Sequence, residues 1–309
     1  MNKISVVISA YNEEKNIEEC LSSVKDFADE IIVVDNGSFD KTSVIAKKFT
    51  KNVYQQENDP SKIDLQKNFG FGKASGDWIL SLDADERLPA ELRAEIKSTI
   101  NNQQSTVNGY WLPRKNIIFG KWIKSDMWWP DFQLRLFRKG KGGFNKNQVH
   151  HGGLVVEGGT EKMENFVVHK NYVSVFQFVE KLNNYTSIEA NSLASDGYKF
   201  SWLDAIKFPV DDFVKTFFFQ KGYNDGLHGL VLSMLQAFYM EVVFAKLWEK
   251  TKFEEIESSN FVKEVEKELV NSANKVSYWI ADSLIKTPQN PLKKIMLKTS
   301  RKISKSKIR

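Results

Sequence analysis

The run from Trp78 to Glu86 reads WILSLDADE, an apolar stretch that ends abruptly on two aspartates one residue apart. A run this short and apolar, entered through Gly76-Asp77, has the pattern of a parallel strand buried on both faces. Successive strand side chains point to opposite faces, so Asp83 and Asp85 share a face if the strand geometry continues through them. Two hard carboxylate oxygens on one face suit Mg²⁺ or Mn²⁺, and Mg²⁺ is commonly held by one or two carboxylates together with substrate phosphates. Ligands of open α/β sheets sit just beyond the carboxyl ends of the strands, which is where this pair falls. The competing reading is an Asp-x-Asp that merely solvates a loop, and only the surrounding chain decides between the two.

Up to about residue 90, strand-like and helix-like segments alternate at short intervals, the signature of a βαβ parallel sheet. The pattern predicts strands over Ile4 to Ser9, Ile31 to Val34, Asn52 to Gln55 and Trp78 to Leu82. It predicts helices from about Glu13 to Asp26, with Asn12 as cap and Ile17, Leu21 and Val24 on one face, then from Asp40 to Phe49 and from Ser61 to Ala74. Pro89 opens a further helix at a tolerated first-turn position. From Asn108 the grammar changes to strand-like segments, Gly109 to Pro113 and Gln133 to Arg138, divided by loops rich in glycine and tryptophan. From Val173 onward the reading is helical, with Pro288 and Pro291 ending the last long helix. The division expected is an α/β domain over 1–172 (halves 1–107 and 108–172), a helical region over 173–285, and a basic tail over 286–309.

Composition narrows the partners. Apolar residues make up 41% and charged residues 27% of the 309, ordinary for a globular protein, while aromatics at 13% are high and cluster after Tyr110. Such a cluster suits a ligand groove or a membrane-facing surface. Cys20 is the only cysteine, so no intramolecular disulfide forms and a reducing cytoplasm fits best. Met1-Asn2-Lys3 leads directly into a strand, and no secretory leader is expected. Leu227 to Trp248 is the segment most like a membrane span, but His228, Gln236, Glu241 and Lys246 favour an amphipathic or buried helix. Nine basic residues and no acids lie between Lys286 and Arg309; subtracting them from the net charge of +5 leaves −4 for the rest. A basic tail with Ile295, Met296, Leu297, Ile303 and Ile308 interleaved suits an anionic membrane surface, the inner face of the cytoplasmic membrane, with a solvated tail as the alternative. An acidic body argues against nucleic acid.

Three strand ends converge: Ala10-Tyr11-Asn12, Asp35-Asn36 and Asp83 with Asp85. Together they make a nucleotide pocket with a cation at its mouth, although turn-making and capping account for Asp35, Gly37, Ser38 and Asp40 equally well. The chain has neither GxGxxG nor GxxxxGK[ST], so a dinucleotide fold and a P-loop both lose support. A nucleotidyltransferase and a non-catalytic sugar- or lipid-binding protein remain as other classes. Four tryptophans (Trp111, Trp122, Trp128 and Trp129) fall in a loop-rich stretch. Trp111 reads as core, whereas Trp122, Trp128 and Trp129 read as a wall for acceptor sugar rings.

The segments ISVVISAYNEEKNI, IIVVDNGSFDKT and KNFGFGKASGDWILSLDADE resemble the family-2 inverting glycosyltransferases of the GT-A fold. WWPDFQLRLFRKGKGGF, VHH and FVVHKNYVSVFQFVEKLNNYT are similar to the lipopolysaccharide-core β-1,4-glucosyltransferase branch. The resemblance implies an α/β mixed sheet with helices on both faces, a nucleotide-diphosphate sugar donor (a UDP-sugar, with glucose transferred), a divalent cation and a glycan or glycolipid acceptor. Polyprenyl-linked, capsular and protein acceptors stay open. Carried over, the pattern makes Asp83 and Asp85 the metal and diphosphate pair, with Ala84 between them. It assigns Ala10, Tyr11, Asn12, Glu13, Asp35 and Asn36 to the nucleoside, and Lys67-Asn68 to a cationic approach to the donor. Asn36 stands where many relatives carry a second aspartate. Asp131, in Trp129-Pro130-Asp131, is the candidate general base; the aromatics around it are expected to raise its pKa, and pairing with Arg135 is the rival role. His150 matches the histidine of a Val-His-Glu motif and is a candidate third metal ligand or diphosphate contact, with His151 replacing the glutamate. His169 and Tyr172 match a following HxxY, with core packing as the other reading.

Overall fold

The computed structural model describes residues 1–59, 62–102, 106–145, 153–255, 259–288 and 290–308. The alternating apolar segments become β1 (Ile4–Ala10), α1 (Ile17–Val24), β2 (Glu30–Asp35), α2 (Thr42–Ala46), β3 (Val53–Gln55), α3 (Ile63–Lys73), β4 (Trp78–Asp83), β5 (Glu86–Arg87) and α4 (Ala90–Ile100). The glycine- and tryptophan-rich part forms β6 (Gly109–Ile118), β7 (Lys121–Trp122), β8 (Asp131–Arg138), β9 (Gly142–Gly143), β10 (Val155–Val156), β11 (Thr160–Lys162) and β12 (Val167–Tyr172). Helices α5 (Val175–Ser195), α6 (Asp204–Phe213), α7 (Leu227–Lys250), α8 (Phe261–Lys286) and α9 (Pro291–Lys307) follow.

One mixed sheet runs β3-β2-β1-β4-β8-β6-β12-β5, with β7 and β11 added on β6, while β9 and β10 pair separately. The four strands β3, β2, β1 and β4 are parallel; β8 lies antiparallel to β4, and β6 antiparallel to β8. Their apolar residues are buried on both faces. On one side Val6, Ile8, Val33 and Leu80 pack against Ile17, Cys20, Leu21 and Val24 of α1, Ala46 of α2, and Leu92, Ile96 and Ile100 of α4. On the other, Val7, Ile32, Val34 and Ile79 pack against Phe71 of α3. Helices on both faces of a mixed sheet, followed by a helical region, are the architecture implied by the motifs.

Packing divides the chain into two units, Met1–Trp122 with Trp128–Val173, and Ile123–Met127 with Ser174–Arg309. In the second unit the short segment 123–127 is held by Asp225, whose buried carboxylate accepts the backbone N–H of Lys124 (3.0 Å) and of Ser125 (2.8 Å). Ala190 of α5 packs on Val243 and Leu247 of α7. At 24 residues α7 is long and apolar enough to cross a membrane by length and composition, and 28% of its most apolar stretch is buried inside the protein.

Two local expectations change. Asn12 does not cap α1, which begins at Ile17; it adopts left-handed backbone (φ 54°), and its Oδ1 accepts the N–H of Phe39 at 3.0 Å. Asparagine tolerates that conformation better than most residues because its short side chain bonds locally. Second, β4 ends at Asp83, so Asp85 lies in the turn before β5 rather than on the same strand face. The basic tail is helical, in line with the reading from Val173 onward: Asn290 caps α9 by accepting the N–H of Lys293 at 2.7 Å, and Pro291 sits in the first turn, where its missing N–H costs nothing.

Gly70 of α3 is where a helix closes tightly on the sheet. A Cβ there lies 2.6 Å from Val7 Cγ1 and 2.8 Å from Val34 Cγ2. Alanine is the better helix former by up to about 1 kcal/mol, but overpacking costs about 1–3 kcal/mol. Gly70→Ala is therefore expected to lower the urea midpoint at unchanged slope.

Candidate active site

Two chains of side chains join the Asp-x-Asp turn to Asp131. In the first, Arg135 donates from Nη2 to Asp83 Oδ2 at 2.6 Å and to Glu86 Oε1 at 2.9 Å. Arg114 lies 3.9 Å from Glu86 Oε1 and binds Asp131 Oδ2 through Nη2 at 2.6 Å and Nε at 2.8 Å. In the second, Asp85 Oδ2 lies 3.3 Å from Nε2 of His169, whose Nδ1 is 2.7 Å from Asn116 Oδ1. Asn116 then donates from Nδ2 to Asp131 Oδ2 at 3.2 Å and to the Trp128 carbonyl at 3.0 Å. With the amide nitrogen committed as a donor, Oδ1 of Asn116 is the acceptor, so Nδ1 of His169 donates to it.

Strand register builds both chains. Arg114 pairs with Asp131 across β6 and β8, and His169 pairs with Asn116 on β6 and with Glu86 on β5. Arg114 and Asn116 are two residues apart on β6, as are Asp131, Gln133 and Arg135 along β8, so each set shares a face. Glu86 and Asn116 are fully buried and Arg135 and His169 nearly so, and their polar groups are bonded except Nε of Arg135, which is buried without a hydrogen-bond acceptor. Glu86 also accepts the Asp83 N–H at 2.9 Å, closing the turn.

Lys67 is a buried cation rather than a solvated helix lysine: its Nζ binds Asp83 Oδ1 at 2.8 Å. Asn68, its neighbour, points elsewhere and clamps the backbone of Phe144 through both amide atoms, at 2.8 and 2.9 Å. Asp35 accepts the N–H of Ser38 at 3.0 Å, and Asn36 donates to Ser9 Oγ (2.9 Å) and the Ala10 carbonyl (3.2 Å) while accepting from Gln56 (2.7 Å). Both are buried and hold the β1–β2 edge together. Glu13 accepts from Asn16 at 2.8 Å, and Ala84 is buried in the turn, its carbonyl accepting from Arg87. Tyr11 stays exposed, edge-on to the still more exposed Phe39 with ring centres 6.3 Å apart. Trp122 and Trp129 meet edge to face at 5.1 Å, with Phe166 beside both and Lys115 4.6 Å over the Trp122 ring. Trp128 contributes its carbonyl, and the Trp129–Pro130 peptide is cis. His150 and His151 lie outside the described residues. Sequence reasoning missed Glu86, Arg114, Asn116 and Phe39; the signal for Arg114 and Asn116 was the polar run Arg114-Lys115-Asn116 inside an otherwise apolar strand.

Residues 5–156 match glycosyl transferase family 2. An uncharacterised glycosyltransferase of Rickettsia typhi is 33% identical over 260 residues, covering 81% of this chain and 88% of the relative. The chain belongs to glycosyl transferase family 2. A second relative, the lipopolysaccharide core biosynthesis glycosyltransferase LpsC of Rhizobium meliloti, is 26% identical over 80% of this chain and 92% of its own. Among solved structures, S. aureus TarS 1–349 in complex with UDP covers 99% of this chain and 89% of its own at 15% identity, with a TM-score of 0.43.

In this glycosyltransferase the charges of the site are set by their neighbours. Burial pushes the Asp83 carboxyl up, but Arg135 and then Lys67 outweigh it and hold the group well below the usual carboxylate range. Asp131 behaves likewise: burial raises it, Arg114 with bonds from Gln133 and Asn116 lowers it, and the net shift is downward. The expected upward shift from the aromatic loop is thus overturned, and the partner of Asp131 is Arg114, not Arg135, because charges in contact dominate over desolvation here. Among the described residues, no cluster of three or more His, Cys, Asp or Glu side chains forms a metal-ligand set. The donor chemistry nonetheless fits a divalent ion. Asp83 is ionised and uses one bond per oxygen, a carboxylate has about four lone-pair sites, and Mg²⁺ needs one or two protein carboxylates when a diphosphate supplies the rest.

Removing Arg114 removes the main cause of the downward shift, so Arg114→Gln is expected to move the Asp131 titration to higher pH. The carboxyl-carbon resonances of ¹³C-aspartate-labelled protein, assigned with Asp131→Asn, report it directly; an unmoved resonance would exclude Arg114 as the cause.

Proposed function

We propose that the chain is an inverting, metal-assisted hexosyltransferase that moves glucose from a UDP-sugar to a hydroxyl of a lipopolysaccharide-core glycolipid. The observation that carries this reading is the pair of side-chain bridges placing Asp131 in one electrostatic unit with Asp83 and Asp85. The role of LpsC in lipopolysaccharide core biosynthesis supports the acceptor class. Family membership sets aside the nucleotidyltransferase reading. A single buried cysteine suits the cytoplasmic side of the membrane as the place of action.

In this reading Tyr11 and Phe39 offer exposed ring surface to the base, and Asn12, Glu13 and the β1 and β2 ends line the nucleoside. Asp83 and Asp85 would hold Mg²⁺ or Mn²⁺, which would supply positive charge to offset that developing on the diphosphate leaving group. Lys67 and Arg135, already at Asp83, add fixed positive charge beside it. Trp122 and Trp129 present ring faces and edges to the acceptor sugar, with Trp128 continuing the wall. Asp131, ionised, accepts the proton of the acceptor hydroxyl as its oxygen bonds to the anomeric carbon. The bond from that carbon to the diphosphate breaks on the opposite side, the electron pair leaves with the diphosphate, and the anomeric configuration inverts. Arg114 and Asn116 aim the carboxylate at the proton it takes.

A polyprenyl-linked acceptor is the second reading. It is favoured by an undecaprenyl-phosphate 4-deoxy-4-formamido-L-arabinose transferase of Photorhabdus laumondii, 32% identical over 135 residues, which match 39% of this chain.

Asp131→Asn keeps size and hydrogen bonding while removing proton acceptance, and should lower transfer by about 10²-fold or more with donor affinity little changed. Near-normal turnover would move the base role elsewhere. Asp85→Ala, or EDTA on the unaltered protein, should abolish transfer from UDP-glucose and leave the unfolding transition in place; full activity in EDTA would remove the metal from the reading.

A further inference from the structure

We propose that α9 is an interfacial anchor that lies on an anionic lipid surface. At about 3.6 residues per turn, Leu297, Arg301, Ser304 and Ile308 fall on one side of the helix. These are its less exposed positions, and Arg301 binds Asp282 of α8 at 2.6 Å. Leu292, Ile295, Met296 and Ile303 fall on the opposite side, with Thr299 and Ser306 between them, and they are 76%, 61%, 71% and 50% exposed. Four large apolar side chains therefore make a stripe pointing away from the helix's own packing partner. Lys293 and Lys307 border the stripe on one side, and Lys298 and Lys302 on the other; Lys294 and Lys305 lie further round. The helix contains no acidic residue.

The charge and the apolar stripe select the occupant together. A helix with an apolar face rimmed by lysines buries that face at the boundary of headgroups and acyl chains while the lysines meet lipid phosphates. The long lysine stems allow the ammonium groups to reach upward as the stripe sinks. A second copy on the same stripe would bring like-charged rims together. Nucleic acid would satisfy the lysines but leave the apolar residues against water, and α9 has no aromatic side chain to stack on a base. The docking surface gives the lipid-linked acceptor proposed above a place to be met, and it rests on that reading only for its purpose.

The test uses the full chain and sedimentation with sucrose-loaded vesicles of phosphatidylcholine, with and without about one third phosphatidylglycerol. Binding is expected only with the anionic lipid. It should weaken as salt rises through the range where the screening length falls from about 10 Å to about 3 Å. Ile295→Asp with Met296→Asp, at exposed positions that do not threaten the fold, should lower the partition coefficient by about tenfold or more. Lys298→Gln with Lys302→Gln should lower it too and reduce the salt dependence. Circular dichroism of the variants checks that α9 persists. Absence of binding to the anionic vesicles at low salt overturns the proposal. So does binding undiminished by the two aspartates, or equal capture by a DNA duplex that the aspartates leave unchanged. Vesicle binding is read without any sugar donor, so its failure is separate from a failure of the transferase reading, which turnover on a soluble acceptor fragment reports.

Discussion

A buried guanidinium governs the first unit. Arg135 sits on β8 inside the sheet, and an unpaired charge there would be intolerable, so its two carboxylate partners, Asp83 and Glu86, are required by the fold before they serve any chemistry. Losing one partner of such a cluster typically costs about 3–5 kcal/mol. Asp83 is thereby fixed in position and in charge, while Glu86, by accepting the Asp83 N–H, sets the shape of the turn that carries Asp85. The same carboxylate lies beside Arg114, which orders Asp131. Structural necessity and catalytic preorganisation are met by one set of ion pairs, and sites supported in this way lose little when substrates arrive.

The parallel half of the sheet was legible in the sequence because fully buried strands leave continuous apolar runs and their helices leave a 3.6-residue period. Ile4–Ala10 and Trp78–Asp83 could be drawn to within a residue. Helix starts were harder. Asn12 looks like a cap from its neighbours, but its tertiary bond to the β2–α2 loop puts it in a left-handed turn and delays α1 to Ile17. β5, β7, β9, β10 and β11 are two or three residues long, too short for any period to register. In the site, the Asp-x-Asp pair and Asp131 were visible as residues, and the Lys67–Asp83 pair crosses from helix to strand in a way spacing does not encode.

The sign of the shift at Asp131 illustrates a general difficulty. Tryptophans flanking an aspartate suggest a dry, carboxylate-raising environment, and that effect is present. The cation that outweighs it comes from Arg114, seventeen residues away in sequence and directly opposite across β6 and β8. Local composition reports desolvation, whereas a pairing register reports charge, and only the second decides which way the group moves.

That register has an evolutionary corollary. Successive strand residues face opposite sides, so inserting or deleting one residue within β6 would turn Arg114 and Asn116 away together and sever both links to Asp131 at once. Irregularities in pairing do occur, between Tyr110 and Trp111 on β6 and between Lys170 and Tyr172 on β12. On β6 and β12 each lies outside the stretch that bears Arg114, Asn116 and His169, whereas on β8 the first leaves Arg135 as the extra residue between Leu134 and Leu136. Point changes can therefore accumulate around this site one at a time, but a length change between Arg114 and Asn116 cannot, and the loops are where lineages of such a chain are free to differ in size.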